Sequence, residues 1–126
     1  MNALVQIENN IATPPALERG EIWVGTIVSA NKRYQIVRLP GDSAPANYKK
    51  QLDWASKCGG VIPNLIEFLL IRQEIGNQSL NQSYWTSDAR PLRKGYAFCC
   101  CVRNGLQEFC TLNSKLRAIA IRRVYF

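Results

Sequence analysis

The chain predicts an α+β fold, a twisted antiparallel sheet with two helices, on three observations. Apolar residues recur with period two between residues 21 and 37, with a period near three and a half between 46 and 75, and with period two again from 96 onward. Turn residues separate those stretches at Pro40-Gly41-Asp42, Cys58-Gly59-Gly60 and Gly76. Asn104-Gly105 then divides the last stretch into a C-terminal hairpin, because a type I′ turn needs positive φ at both central residues and this dipeptide accepts it.

Residues 1–19 form an arm. Thr13-Pro14-Pro15 offers a ladder no N–H groups at its prolines, which leaves one edge strand near 3–7. Residues 20–126 make one domain, since a chain of 126 residues is the size of a single core. Within it, 21–28 and 34–37 are rich in β-branched and aromatic residues, and Ser29-Ala30-Asn31-Lys32 is the turn that pairs them.

The first helix spans about 46–58. Tyr48, Leu52 and Ala55 share its apolar face, with Lys49, Lys50, Asp53 and Lys57 turned elsewhere. The second spans about 64–75 and is apolar on most of its circumference, which makes it the more buried of the two. Asn64 and Glu67 stand at the spacing of a capping box at its start. In the hairpin, a two-residue loop would set Cys99 opposite Cys110 and Cys100 opposite Phe109. Phe98, Cys100, Val102 and Phe109 would then form the core face. Residues 117–125 read as one arginine-studded strand.

The formal charge of +7 favours acidic partners: an acidic protein face, nucleic acid or anionic lipid. No stretch has the ~20 consecutive apolar residues of a membrane span, and no signal-peptide pattern opens the chain, so a soluble cytoplasmic protein is expected. Five cysteines, three of them consecutive, cannot all pair, and reduced thiols fit that compartment.

Histidine is absent. That removes the usual general base, the commonest zinc ligand and the Ser-His and Cys-His nucleophile pairs. With no glycine-rich phosphate loop and no calcium-type acidic cluster, neither enzyme nor cofactor is expected, and no metal. Neighbouring strand residues point to opposite faces, so Cys99, Cys100 and Cys101 cannot ligate one ion together; packing is their expected role, with a thiol pair, soft metal site or disulfide of Cys99 and Cys110 as the alternative. Trp54 and Trp85 are either stacking platforms or core anchors. The loop around Asp88, Arg90, Arg93 and Lys94 gathers three positive charges between two strands and is the candidate partner-binding site.

Several short motifs in succession resemble a family. Asp53-Trp54 leads to Cys58, then Gly60-Val61-Ile62-Pro63 and Glu67-Phe68-Leu69, then Tyr84-Trp85-Thr86-Ser87, then Arg117-Ala118-Ile119-Ala120-Ile121-Arg122-Arg123. The order resembles the C-terminal domain of bacterial collagen-like adhesins, which also occurs as small stand-alone phage and prophage proteins. The resemblance implies a C-type-lectin-like fold, related to that of the formylglycine-generating enzyme, with termini brought together and no general enzymatic activity. It implies a protein-binding module acting in the host cell cytoplasm, one that engages and inhibits an acidic host protein such as a defence complex. Two alternatives accompany it. One is nucleic-acid binding through Arg90, Arg93, Lys94 and the C-terminal arginines. The other is receptor or glycan binding on a tail or adhesin, against which the odd cysteine count argues.

Overall fold

The computed structural model describes residues 14–41, 43–75, 82–87 and 94–126. Among them are two helices and two three-stranded antiparallel sheets, where the sequence suggested one sheet. Strands β1 (Ile22–Val28) and β2 (Arg33–Arg38) form the expected hairpin about Ser29 and Lys32, whose backbones bond each other. A bulge between Trp23 and Gly25 bends β1. Strand β6 (Ile121–Tyr125) lies antiparallel to β2 and completes the order β1-β2-β6. The second sheet orders β3 (Ser83–Trp85), β4 (Tyr96–Cys101) and β5 (Gln107–Thr111) consecutively.

Helix α1 (Tyr48–Lys57) begins at Asn47, whose side chain accepts the Lys50 N–H at 2.9 Å. It ends in a Schellman turn: Gly60 N–H reaches Ala55 C=O and Gly59 N–H reaches Ser56 C=O, both at 3.0 Å, with Gly59 at φ +85°. Its buried face differs from the expected one. Gln51 and Ala55 are buried and Leu52 is exposed, because the Gln51 amide donates to Ala44 C=O and Leu116 C=O, which need donors inside.

Helix α2 (Leu65–Ile75) carries the capping box in full: Asn64 Oδ1 accepts the Glu67 N–H, and Glu67 Oε1 accepts the Asn64 N–H. It is not apolar-buried all round. Phe68 and Ile71 face inward together with the carboxylate of Glu67, while Ile66 and Leu69 stay exposed. The residues of the expected arm strand and Gly76 lie outside the described residues.

The hairpin register differs by two from the expected one. Phe98 faces Phe109, Cys99 faces Glu108 and Ala97 faces Cys110, because the loop has four residues, 102–105. Only Gly105, at φ +71°, takes the left-handed conformation; Asn104 does not, so no type I′ turn forms. The cause is tertiary. Val102 is drawn into the core, its N–H bonds Gln82 C=O, and the Arg72 guanidinium from α2 donates to Val102 C=O and Arg103 C=O.

Residues 117–125 are likewise not one strand. Arg117 bridges Tyr84 in the second sheet, 118–120 cross between the sheets, and β6 starts at Ile121. Side chains alternate along that crossing. Ile119 and Ile121 enter a cluster with Tyr34, Ile36, Phe68, Ile71, Tyr84 and Cys100, on the α2 side. Ala118 and Ala120 enter another with Leu39, Ala55, Ile62, Trp85, Ala97 and Cys99, on the α1 side. β3, β4 and the crossing segment therefore form a layer buried on both faces, which requires apolar side chains at consecutive positions.

Candidate partner-binding surface

Two carboxylates are drawn inward, and each is matched to an arginine of β6. Glu67 has no exposed surface and accepts from four donors: Asn64 N–H, the Tyr34 hydroxyl at 2.8 Å, and the Nε and Nη2 of Arg123 at 2.6 and 2.7 Å. Burial would raise its pKa, but Arg123, the Asn64 N–H and Tyr34 together outweigh it and hold the carboxyl below its ordinary value. Burial and the same carboxylate push Tyr34 up to about 12.

Glu21 binds Arg122 through both oxygens, at 2.8 and 2.9 Å, and the Arg122 pairing brings its pKa to about 2. Arg122 also donates to Ala16 C=O, which ties the end of the arm to β6. A groove of about 500 Å³ lies there, lined by Leu17, Glu18, Glu21, Leu39, Cys58 and Arg122. Its charges are of both signs.

The second groove, about 300 Å³, is lined by cations and neutral groups among the described residues. Pro45, Gln82, Ser83, Lys115, Leu116 and Arg117 line it, with no carboxylate among them. The bridge of Leu116 to Ala46 and the Arg117 N–H to Ser83 C=O bond hold its walls, so two cations stand on backbone fixed at both ends. Nothing in the sequence marked this place, since Pro45, Gln82 and Lys115 are far apart along the chain.

Of the residues in the candidate loop, Asp88, Arg90 and Arg93 lie outside the described residues. Lys94 is exposed in the turn that enters β4. Arg122 and Arg123, which a nucleic-acid reading would turn outward, are engaged with carboxylates instead.

Trp85 is not presented as a platform, and Trp54 is half-buried. Trp85 has no exposed surface, stacks edge-on against Tyr48 with centroids 5.1 Å apart, and donates Nε1–H to Ala46 C=O. Trp54 packs against the α1-side cluster. All five thiols are free. Burial and the neighbouring Cys110 push the Cys99 thiol up, away from the thiolate that nucleophilic or metal chemistry uses. Among the described residues no three potential ligands gather round a metal position, and no helix is long and apolar enough to cross a membrane. No family model matches the chain, and neither does any curated protein or solved structure.

Proposed function

We propose that this chain is a non-enzymatic protein-binding module whose basic exterior engages an acidic face of a host protein. The observation that carries the reading is the excess of exposed cations over exposed carboxylates, which among the described residues are Glu18, Asp53 and Glu108. Glu21 and Glu67 are neutralised by Arg122 and Arg123, so the surplus of +7 rests on other side chains. Lys49, Lys50, Lys57, Lys94, Arg103 and Lys115 are all exposed. A field of one sign attracts a partner of the other and raises its rate of encounter.

Lys115, exposed at the second groove, offers such a partner a cation for a carboxylate side chain. The resemblance to the adhesin C-terminal domain supplies the finer part of the proposal: a C-type-lectin-like, phage- or prophage-type protein working in the host cytoplasm as an inhibitor. Immobilised protein is expected to retain an acidic host protein at low salt and to release it as salt rises. Lys94→Glu/Lys115→Glu should abolish retention without altering the thermal transition. Retention of no protein at low salt, or retention indifferent to the charge reversal, overturns the proposal. A gel-shift titration with random duplex and single-stranded DNA separates it from nucleic-acid binding, where affinity would fall steeply with salt through counterion release.

A further inference from the structure

The α2 side of the second sheet is only partly covered. Cys100 of β4 lies in the cluster beneath α2, and alternate strand residues share a face, so Phe98 and its cross-strand neighbour Phe109 belong to that side as well. Their rings stack with centroids 4.7 Å apart, yet Phe109 stays 41% exposed. Helix α2 stands over the adjoining part of the sheet, where Phe68 packs on Tyr84 with centroids 5.3 Å apart. Ile66 and Leu69, neighbours one turn apart on the outer flank of that helix, are 65% and 37% exposed.

Leu69 and Arg72 turn toward the loop between β4 and β5: a Cβ on Gly105 would stand 3.3 Å from a Leu69 methyl and 3.1 Å from Arg72 Nη1. The helix flank and the ring pair are thus the wall and the floor of one apolar corner. Among the described residues, the charged groups at its rim are cations. Arg72 donates to Val102 C=O and Arg103 C=O, Arg103 is exposed in the loop, and Lys94 is exposed just before β4. Glu67 is buried and bonded by Arg123, and Glu108 stands on the opposite face of β5, in register with Cys99.

Lys94 and Arg103 bracket the six residues of β4, which at ~3.3 Å each span roughly 20 Å, the length of a helix of about 14 residues. We infer that this corner receives an amphipathic helix of an acidic partner, with its apolar stripe on Ile66, Leu69 and Phe109 and its carboxylates against Arg103 and Lys94. The inference rests on the proposed engagement of an acidic protein and adds the form in which that protein is held. A second copy of this chain would cover the apolar surface too, but it carries +7 and the same cations at its own rim, whereas an acidic helix complements both features at once.

Amide chemical shifts of the isotope-labelled full chain test this against a synthetic helical peptide of about 14 residues, with leucines at i, i+3, i+4 and i+7 and glutamates on the other faces. Shifts should concentrate at residues 66–69 and 103–109 and saturate with a Kd below ~1 mM. The same peptide with lysine for glutamate, or with glutamine for leucine, should bind at least about tenfold more weakly. Ile66→Gln/Leu69→Gln and Lys94→Glu/Arg103→Glu should each weaken the acidic amphipathic peptide about tenfold with melting unchanged, and Phe109→Thr gives an independent reading from the floor of the corner. Shifts elsewhere on the chain, or equal binding with and without the leucines, overturn the inference and leave the engagement of an acidic protein standing. Failure of every acidic peptide also overturns it, and retention of an acidic host protein at low salt then decides the broader reading separately. Shifts at the corner that grow with the chain's own concentration, or that single-stranded DNA produces in place of peptide, assign the surface to a second copy or to nucleic acid and overturn it as well.

Discussion

Glu67 does three things at one place: it closes the capping box of α2, receives Tyr34 from β2 and receives Arg123 from β6. The motif Asn-x-x-Glu announced only the first, because the other two donors come from residues 33 positions before it and 56 after it. Removing one partner of a buried pair leaves the other uncompensated, so Glu67→Ala should cost about 3 kcal/mol in chemical denaturation. Glu21 is the titratable counterpart. Its folded pKa of about 2 lies below the ordinary carboxylate value of 4.5. The Arg122 contact is therefore fully stabilising above the unfolded value and is lost as pH falls through the interval down to about 2. Melting of the parent and of Glu21→Gln should differ at pH 7 and converge near pH 2, about where Glu21 itself becomes protonated.

At the scale of elements, both helices were legible because their signals are local. Asn64 and Glu67 interact within one turn, and Gly59 meets the left-handed requirement at the end of α1. Gly60 answers to a different demand. A Cβ there would stand 2.4 Å from Ile121 C=O and 2.6 Å from a Leu39 methyl, because Val61 and Ile121 bond backbone to backbone beside it. Gly60→Ala should therefore destabilise by about 3 kcal/mol, measured by denaturant midpoint, whereas most substitutions at a merely open glycine cost far less. The hairpin was half legible. Alternation assigned residues to the correct faces, and a shift of two preserves that assignment. The loop length was not legible, since the Arg72 guanidinium and the burial of Val102 overrode the local preference of Asn104-Gly105. The core face was misjudged for a related reason: β4 is covered on both sides, so Cys99 is as buried as Cys100, while Phe109 reaches solvent.

Across the whole molecule, one doubly covered layer separates two apolar clusters, and Cys99 and Cys100 report on one each. If both clusters open together, the two thiols should be alkylated at the same slow rate, set by global unfolding, with exposed Cys58 far ahead. Mass spectrometry of a labelling time course measures all three, and a faster Cys99 would mean that the α1 side opens alone. The candidate surface was partly legible at this scale. Net charge and the absence of histidine set its chemical character, and Lys94 is exposed. The groove of Lys115 and Arg117, and the engagement of Arg122 and Arg123 with Glu67 and Glu21, depend on pairings between distant segments. The amino-acid sequence by itself determined the helices, the strand periods, the caps and the sign of the surface, because each follows from neighbours within a few residues or from a sum over the chain. Tertiary structure alone decided how many sheets form, which register the hairpin takes and which cations remain outside, because those outcomes turn on contacts between residues that the chain order holds apart.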